Sequence, residues 1–141
     1  MSALNIPLTL QPIGHVESPL NDRALAPKQG HEGSPVAWLV FEASFRDGLR
    51  DLDVGDDLLL LTWLDRSDRS VLRVHPRGDS ANPLCGVFST RSPDRPNPIG
   101  LHRVRILSIV DVLRVKVANL EALDATPIID VKPVLADVAE A

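Results

Sequence analysis

The sequence predicts an all-β protein, a small barrel or sandwich of short strands, and three observations carry that expectation. Several segments alternate apolar and polar residues and are separated by turn-forming residues. No stretch shows the apolar spacing of an amphipathic helix three turns long. No glycine-rich strand-to-helix phosphate motif is present, which argues against a doubly wound nucleotide-binding sheet.

The elements follow in order. Residues 1 to 12 read as a leader into the first strand, frayed in part. Residues 13 to 18 form that strand. Asn21 to Pro35 is polar and rich in Gly and Pro, so it reads as a long loop, a length that usually marks function or mobility. Val36 to Phe45 holds strong β formers and reads as a strand. Asp47 to Asp57, with Gly48 and Gly55, is a turn or short helix. Leu58 to Leu64 is continuously apolar at its start, as in a strand buried on both faces. Val71 to His75 alternates, Arg77 to Leu84 is loop, and Gly86 to Ser89 is a short strand. His102 to Val110 puts Val104 and Ile106 on one face and Arg103 and Arg105 on the other. Val112 to Val117 sets Leu113, Val115 and Val117 against Arg114 and Lys116. Ser108 to Asp111 offers only a loose turn between these last two strands.

Composition sets further bounds. A chain of 141 residues with 44% hydrophobic content fits one domain with a proper core. The longest apolar run, Leu58 to Leu61, is far too short to span a bilayer. No basic segment followed by an apolar one opens the chain, so no secretory signal is expected. The one cysteine, Cys85, excludes an internal disulfide and suits a reducing compartment, with the cytoplasm as the expected address. It is expected to act as a buried small hydrophobe. The four histidines (15, 31, 75 and 102) share no metal-ligand spacing, so no metal is expected. Arg77-Gly78-Asp79 matches an adhesion tripeptide by chance.

Net charge is −4, which argues against a strongly basic nucleic-acid binder. Yet residues 66 to 105 hold eight arginines against three acids, a local balance of +5, while the remainder sums to −9. Such a region on an acidic protein can attract a phosphate backbone. The plainer alternative is that strand arginines solvate an outer face.

Residues 86 to 101, Gly-Val-Phe-Ser-Thr-Arg-Ser-Pro-Asp-Arg-Pro-Asn-Pro-Ile-Gly-Leu, carry most of the functional information. Pro93, Pro96 and Pro98 fix φ and remove backbone donors, so the run is neither helix interior nor central strand. Ser92, Arg95 and Asn97 precede prolines and are pushed toward extended backbone. The loop is therefore stiff without a ladder, and holds Arg91, Asp94, Arg95 and Asn97 in set directions. Stiffness lowers the entropy lost on binding a ligand. A tight strand connection is the alternative.

This run resembles the signature of the TrmO-like (TsaA-like, YaeB-like) family of S-adenosylmethionine-dependent tRNA methyltransferases, with Ser89 in place of an alanine. Ile13-Gly14-His15-Val16-Glu17-Ser18-Pro19 with Pro27-Lys28-Gln29, and Leu123-Asp124-Ala125-Thr126-Pro127 with Asp130-Val131-Lys132-Pro133, are similar to two further family stretches. The resemblance covers nearly the whole chain as one domain. It implies a small β-barrel of six or seven strands with long loops. It also implies methylation of the exocyclic amine of threonylcarbamoyladenosine in tRNA, with S-adenosyl-L-methionine as cofactor. The implied partners are tRNA and a second copy in a homodimer, with no DNA and no membrane.

By the same resemblance, Pro27, Lys28, Gln29, Arg91, Leu101, Asp124, Ala125, Thr126 and Pro127 lie at cofactor-binding positions. Leu101 would wall the adenine or ribose, and Arg91 would pair a carboxylate through its forked donors. Asp124 would face the ribose or the cationic end of the cofactor, its plain reading being a turn aspartate ahead of Thr-Pro. Asp65 and Arg66 fall in the cofactor-contacting segment, where many members have a His. Arg95 and Asn97 are the substrate-binding candidates. No catalytic residue is singled out. Ala125 replaces the usual glycine and Val134 a common tyrosine, so a different turn is expected at Ala125, since a Cβ disfavours positive φ. The alternative function is a non-catalytic module binding S-adenosylmethionine or a small anion.

Overall fold

The computed structural model describes residues 6–21 and 34–135. Among the described residues, eight strands follow in order: β1 (Gly14–Glu17), β2 (Ala37–Phe41), β3 (Asp57–Trp63), β4 (Arg73–Val74), β5 (Cys85–Gly86), β6 (Ile99–Val110), β7 (Arg114–Ala118) and β8 (Pro127–Pro133). Six of them pair antiparallel in the order β1-β2-β7-β6-β3-β8, and β8 returns to β1, closing a barrel without free edges. β4 and β5 form a separate two-stranded arm. Helical structure among the described residues is confined to 3-10 segments at Ala43–Leu49, Pro76–Gly78 and Val87–Ser89.

Alternation fills the interior. Val16, Leu39, Leu60, Ile106, Val117 and Ile128, one from each barrel strand, are at most 1% exposed. Full burial of each such side chain contributes about 1.5–3 kcal/mol relative to exposure. Gly14 has a packing reason: a Cβ there would lie 2.3 Å from the Val40 carbonyl oxygen, so only glycine lets β1 lie this close to β2. The expected opposition of Val104 and Ile106 to Arg103 and Arg105 holds, the first pair buried and the second exposed.

Other boundaries differ for identifiable reasons. The strand expected over residues 36–45 stops at Phe41, because Ala43 and Ser44 are poor β formers leading into Asp47-Gly48, and a 3-10 segment takes over. β6 begins at Ile99, immediately after the last proline, rather than at His102. It ends at Val110 as expected, and the loose turn expected at residues 108–111 is a tight one. Asp111 and Val112 take φ of 51° and 62° there, and Arg46 Nη1 donates to the Asp111 carbonyl at 3.2 Å. The short strand expected at residues 86–89 is strand only to Gly86 and then turns into 3-10. Cys85 is half-buried on the arm rather than in the core.

β8 escaped the sequence pattern altogether. Its register against β3 shifts between Leu61↔Asp130 and Thr62↔Ile128, leaving Ile129 as an extra residue. Such a bulge breaks the period of two on which strand recognition depends. The structure also places no helix long and apolar enough to cross a membrane among the described residues.

Candidate functional site

Strand register decides which loops meet. Trp63 pairs with Ile99, Thr62 with Gly100, and Thr62 also with Ile128. The end of β3, the start of β6 and the start of β8 therefore lie level at one rim. Loop 64–72, the proline loop 90–98 and loop 119–126 gather there, with residues 18–21 leaving β1 beside them.

The proline loop is pinned from inside and outside. Arg95 folds back on it: Nη1 donates to the carbonyls of Thr90 at 3.0 Å and Ser92 at 3.1 Å, and Nη2 to that of Val87 at 2.9 Å. Its guanidinium also lies 5.9 Å from the ring centre of Phe88. Arg69 holds the outer side, donating to the Pro96 carbonyl at 2.6 Å and Asn97 Oδ1 at 3.1 Å, and stacking 5.1 Å from Trp63. The Leu64 amide donates to the Pro98 carbonyl at 2.8 Å, and the Asp68 amide to Asp94 Oδ1 at 2.9 Å. Hydrogen bonds from the Ser70 hydroxyl and amide hold the Asp68 carboxyl below the usual carboxylate value, against smaller opposing pushes from desolvation and then from Asp94. Arg91 and Asn97 are exposed on the same loop.

Loop 119–126 is joined to this assembly through Arg66. Its Nη2 donates to the Asp124 carbonyl and its Nη1 to the Asn21 carbonyl, both at 3.1 Å. Asp124 is a clamp in its own right: Oδ1 accepts from the Ser18 amide at 3.0 Å, and its amide donates to the Leu20 carbonyl at 2.6 Å. Ala125 is exposed at φ 67°, so alanine takes the left-handed conformation itself. Thr126 is buried, its hydroxyl donating to the Leu123 carbonyl at 2.7 Å, and Pro127 opens β8 opposite His15. Asp65 and Leu101 are exposed near the same rim, Leu101 on the outer wall of β6 opposite Leu61. Pro27, Lys28 and Gln29 lie outside the described residues.

Sequence reading missed a polar group inside this rim. Thr62 and His102 are buried, and Thr62 Oγ1 lies 2.7 Å from His102 Nε2. His102 Nδ1 donates to Glu121 Oε1 at 2.5 Å, because a carboxylate only accepts. The available signal was parity: Thr62 and His102 occupy inward positions in series otherwise held by Leu58, Leu60, Val104 and Ile106. Among the described residues no cluster of three or more His, Cys, Asp or Glu is placed to hold a metal.

Fold and site together define a small antiparallel barrel whose candidate groups sit on cross-braced loops at one end. Residues 15–139 match the model of the tRNA-methyltransferase O N-terminal domain, and the chain belongs to that family. A protein named "Probable S-adenosyl-L-methionine-binding protein" from Methanothermobacter thermautotrophicus is 40% identical over 131 residues, 93% of each chain. An S-adenosyl-L-methionine-binding protein from Archaeoglobus fulgidus is 42% identical over 125 residues, 89% of this chain and 88% of its own. The crystal structure of TrmO from Pseudomonas aeruginosa superposes with a TM-score of 0.74 at 26% identity, covering 96% of this chain and 61% of that one. This chain therefore spans less than two thirds of that solved chain.

Proposed function

We propose that this protein is an S-adenosylmethionine-dependent methyltransferase acting on tRNA, with the exocyclic amine of threonylcarbamoyladenosine as the acceptor. The observation that supports it best is the Arg66 bridge, which ties the Asp124–Pro127 turn to the segment bonded to the proline loop. The family-matched stretches among the described residues thus form one braced unit.

The residues present fit such a cofactor. Arg91 offers forked donors to a carboxylate, exposed Leu101 offers an apolar wall, and the turn at Ala125 is small and exposed. S-adenosylmethionine supplies an electrophilic methyl group on a sulfonium. The chain's part is orientation, worth on the order of 7–11 kcal/mol of barrier when reactants are held well aligned. Arg95 has its donors on loop carbonyls, so in this reading it shapes the loop presented to the acceptor, and Asn97 stands exposed beside it. A homodimer and a cytoplasmic address belong to the same reading.

A second reading, a binding module without catalysis, is favoured by the relatives matched nearly end to end, which are named for binding S-adenosyl-L-methionine. One experiment separates the two: methyl transfer from radiolabelled cofactor to bulk tRNA, with nucleoside analysis, beside calorimetry of cofactor binding. Label in methylated threonylcarbamoyladenosine supports the enzyme. Binding without transfer supports the module, and absence of binding removes the enzyme and the cofactor-binding form of the module.

A further inference from the structure

We propose that buried Thr62 and His102 and half-buried Glu121 form a positioning relay that sets the spacing of the three loops at the rim. The inference rests on the reading that this rim binds S-adenosylmethionine. Each member sits at the root of a different site segment. Thr62 precedes Trp63 and the 64–66 segment, His102 follows Leu101, and Glu121 lies three residues before Asp124. Two hydrogen bonds, of 2.7 and 2.5 Å, join the three through the barrel interior. With the ring neutral, the Thr62 hydroxyl donates to Nε2 while Nδ1 donates to Glu121.

Two observations separate this relay from ordinary core packing. An apolar trio of similar volume would fill the interior without desolvating an imidazole and a carboxylate, so stability alone does not call for polar groups here. Gly100 is adapted to it as well. A Cβ on Gly100 would lie 2.3 Å from Thr62 Oγ1 and 2.6 Å from His102 Nε2, so the glycine that ends the proline run is what admits the relay. Directional bonds fix relative placement in a way that apolar contacts do not, and ligand geometry is sensitive to loop placement.

The test compares Thr62→Val and Glu121→Ala, which break the bonds, with Thr62→Ser and Glu121→Gln, which keep them. Cofactor affinity is measured by calorimetry well below each variant's melting temperature. Thr62→Val and Glu121→Ala each weaken binding about tenfold, the fold-change that corresponds to one buried hydrogen bond. Thr62→Ser and Glu121→Gln stay within about twofold, which is inside ordinary context scatter for a retained bond. If the broken variants melt lower yet bind as wild type does, the relay is structural only and the proposal is overturned. Should Thr62→Val not fold, Glu121→Ala decides alone, since its side chain is 16% exposed at the rim. Failure of the wild-type protein to bind would overturn the underlying reading and the relay together, and is distinct from wild-type binding with unaffected variants.

Discussion

Arg66 Nη2 donates to the backbone carbonyl of Asp124 at 3.1 Å, across 58 residues of sequence. An arginine placed by resemblance against a ligand thus braces two loops, and a brace and a ligand contact make different demands on a substitution. Arg66→Ala is expected to lower stability by about 1 kcal/mol, as for one net hydrogen bond near the surface. It should also weaken cofactor binding by loosening the Asp124–Pro127 turn. Arg66→Lys, with one donor group for two separated carbonyls, should restore little of either. Urea unfolding and calorimetry on the same samples check both effects.

Gly100→Ala tests the packing around Thr62 and His102. With its φ unremarkable, the position needs glycine only because the new methyl would overlap both side chains. Overpacking of a closed core typically costs about 1–3 kcal/mol. Chemical denaturation should show that loss, and Thr62→Ala in the same background should recover part of it by vacating the methyl's space. No recovery would mean that the strain lies elsewhere on β6.

Fold class and the motifs were legible because alternation and proline placement are local properties. Val104, Ile106, Val115 and Val117 alternate cleanly, and each is buried. β8 was not legible because its bulge at Ile129 breaks parity, and because pairing with β1 and β3 is non-local. The proline loop was read as stiff, but Arg69 and Arg95 as its fasteners were not, since an arginine's choice between a carbonyl and a ligand is a tertiary matter. The relay was hidden differently: Thr62, His102 and Glu121 lie far apart in sequence and share no motif.

Asp57 should impose an acid limb on stability. The Arg105 hydrogen bond first, and the Arg103 hydrogen bond second, hold its carboxyl below the ordinary value of 3.8. A folded-state value below the unfolded one means that the stabilisation is present above about pH 4 and is lost as pH falls through the folded value. All three side chains keep solvent contact, at 24%, 54% and 59% exposure, so the effect is small. Asp57→Asn should be less stable than wild type at pH 7, with the gap closing below about pH 4. Melting curves across pH 2–7, ranges chosen about that limb, measure it, and a gap independent of pH would contradict it.

Ala125 should be improved by losing its methyl group. At φ 67° an L-residue with a Cβ carries roughly 1–2 kcal/mol of left-handed strain. Glycine removes that strain but gives back about 0.4–1 kcal/mol in unfolded-state entropy. Ala125→Gly should therefore stabilise the protein by about 0.5–1 kcal/mol. The exposed methyl has little packing to lose. Thermal unfolding of the single variant is sufficient, and a lower melting temperature would show that the methyl makes a contact worth more than the strain.

The basic stretch from residue 66 to 105 is less uniform than its charge count implies. Arg66, Arg69 and Arg95 are spent on loop carbonyls, and Arg103 and Arg105 on Asp57. Arg73 and Arg77 stand exposed on or beside the β4–β5 arm, Arg73 donating to the Leu84 carbonyl at 3.4 Å. If tRNA is the partner, these two are the side chains best placed to meet phosphates without dismantling the rim. Replacing both with Ala should make the dependence of tRNA affinity on salt shallower by up to about two phosphate contacts. Cofactor affinity should not change, because both residues lie on the arm segment, outside the three rim loops. The same loss from Arg69→Ala would be ambiguous, since that arginine also holds Pro96 and Asn97 in place. A double variant with the wild-type salt slope would move RNA recognition off the arm and onto the loop rim itself.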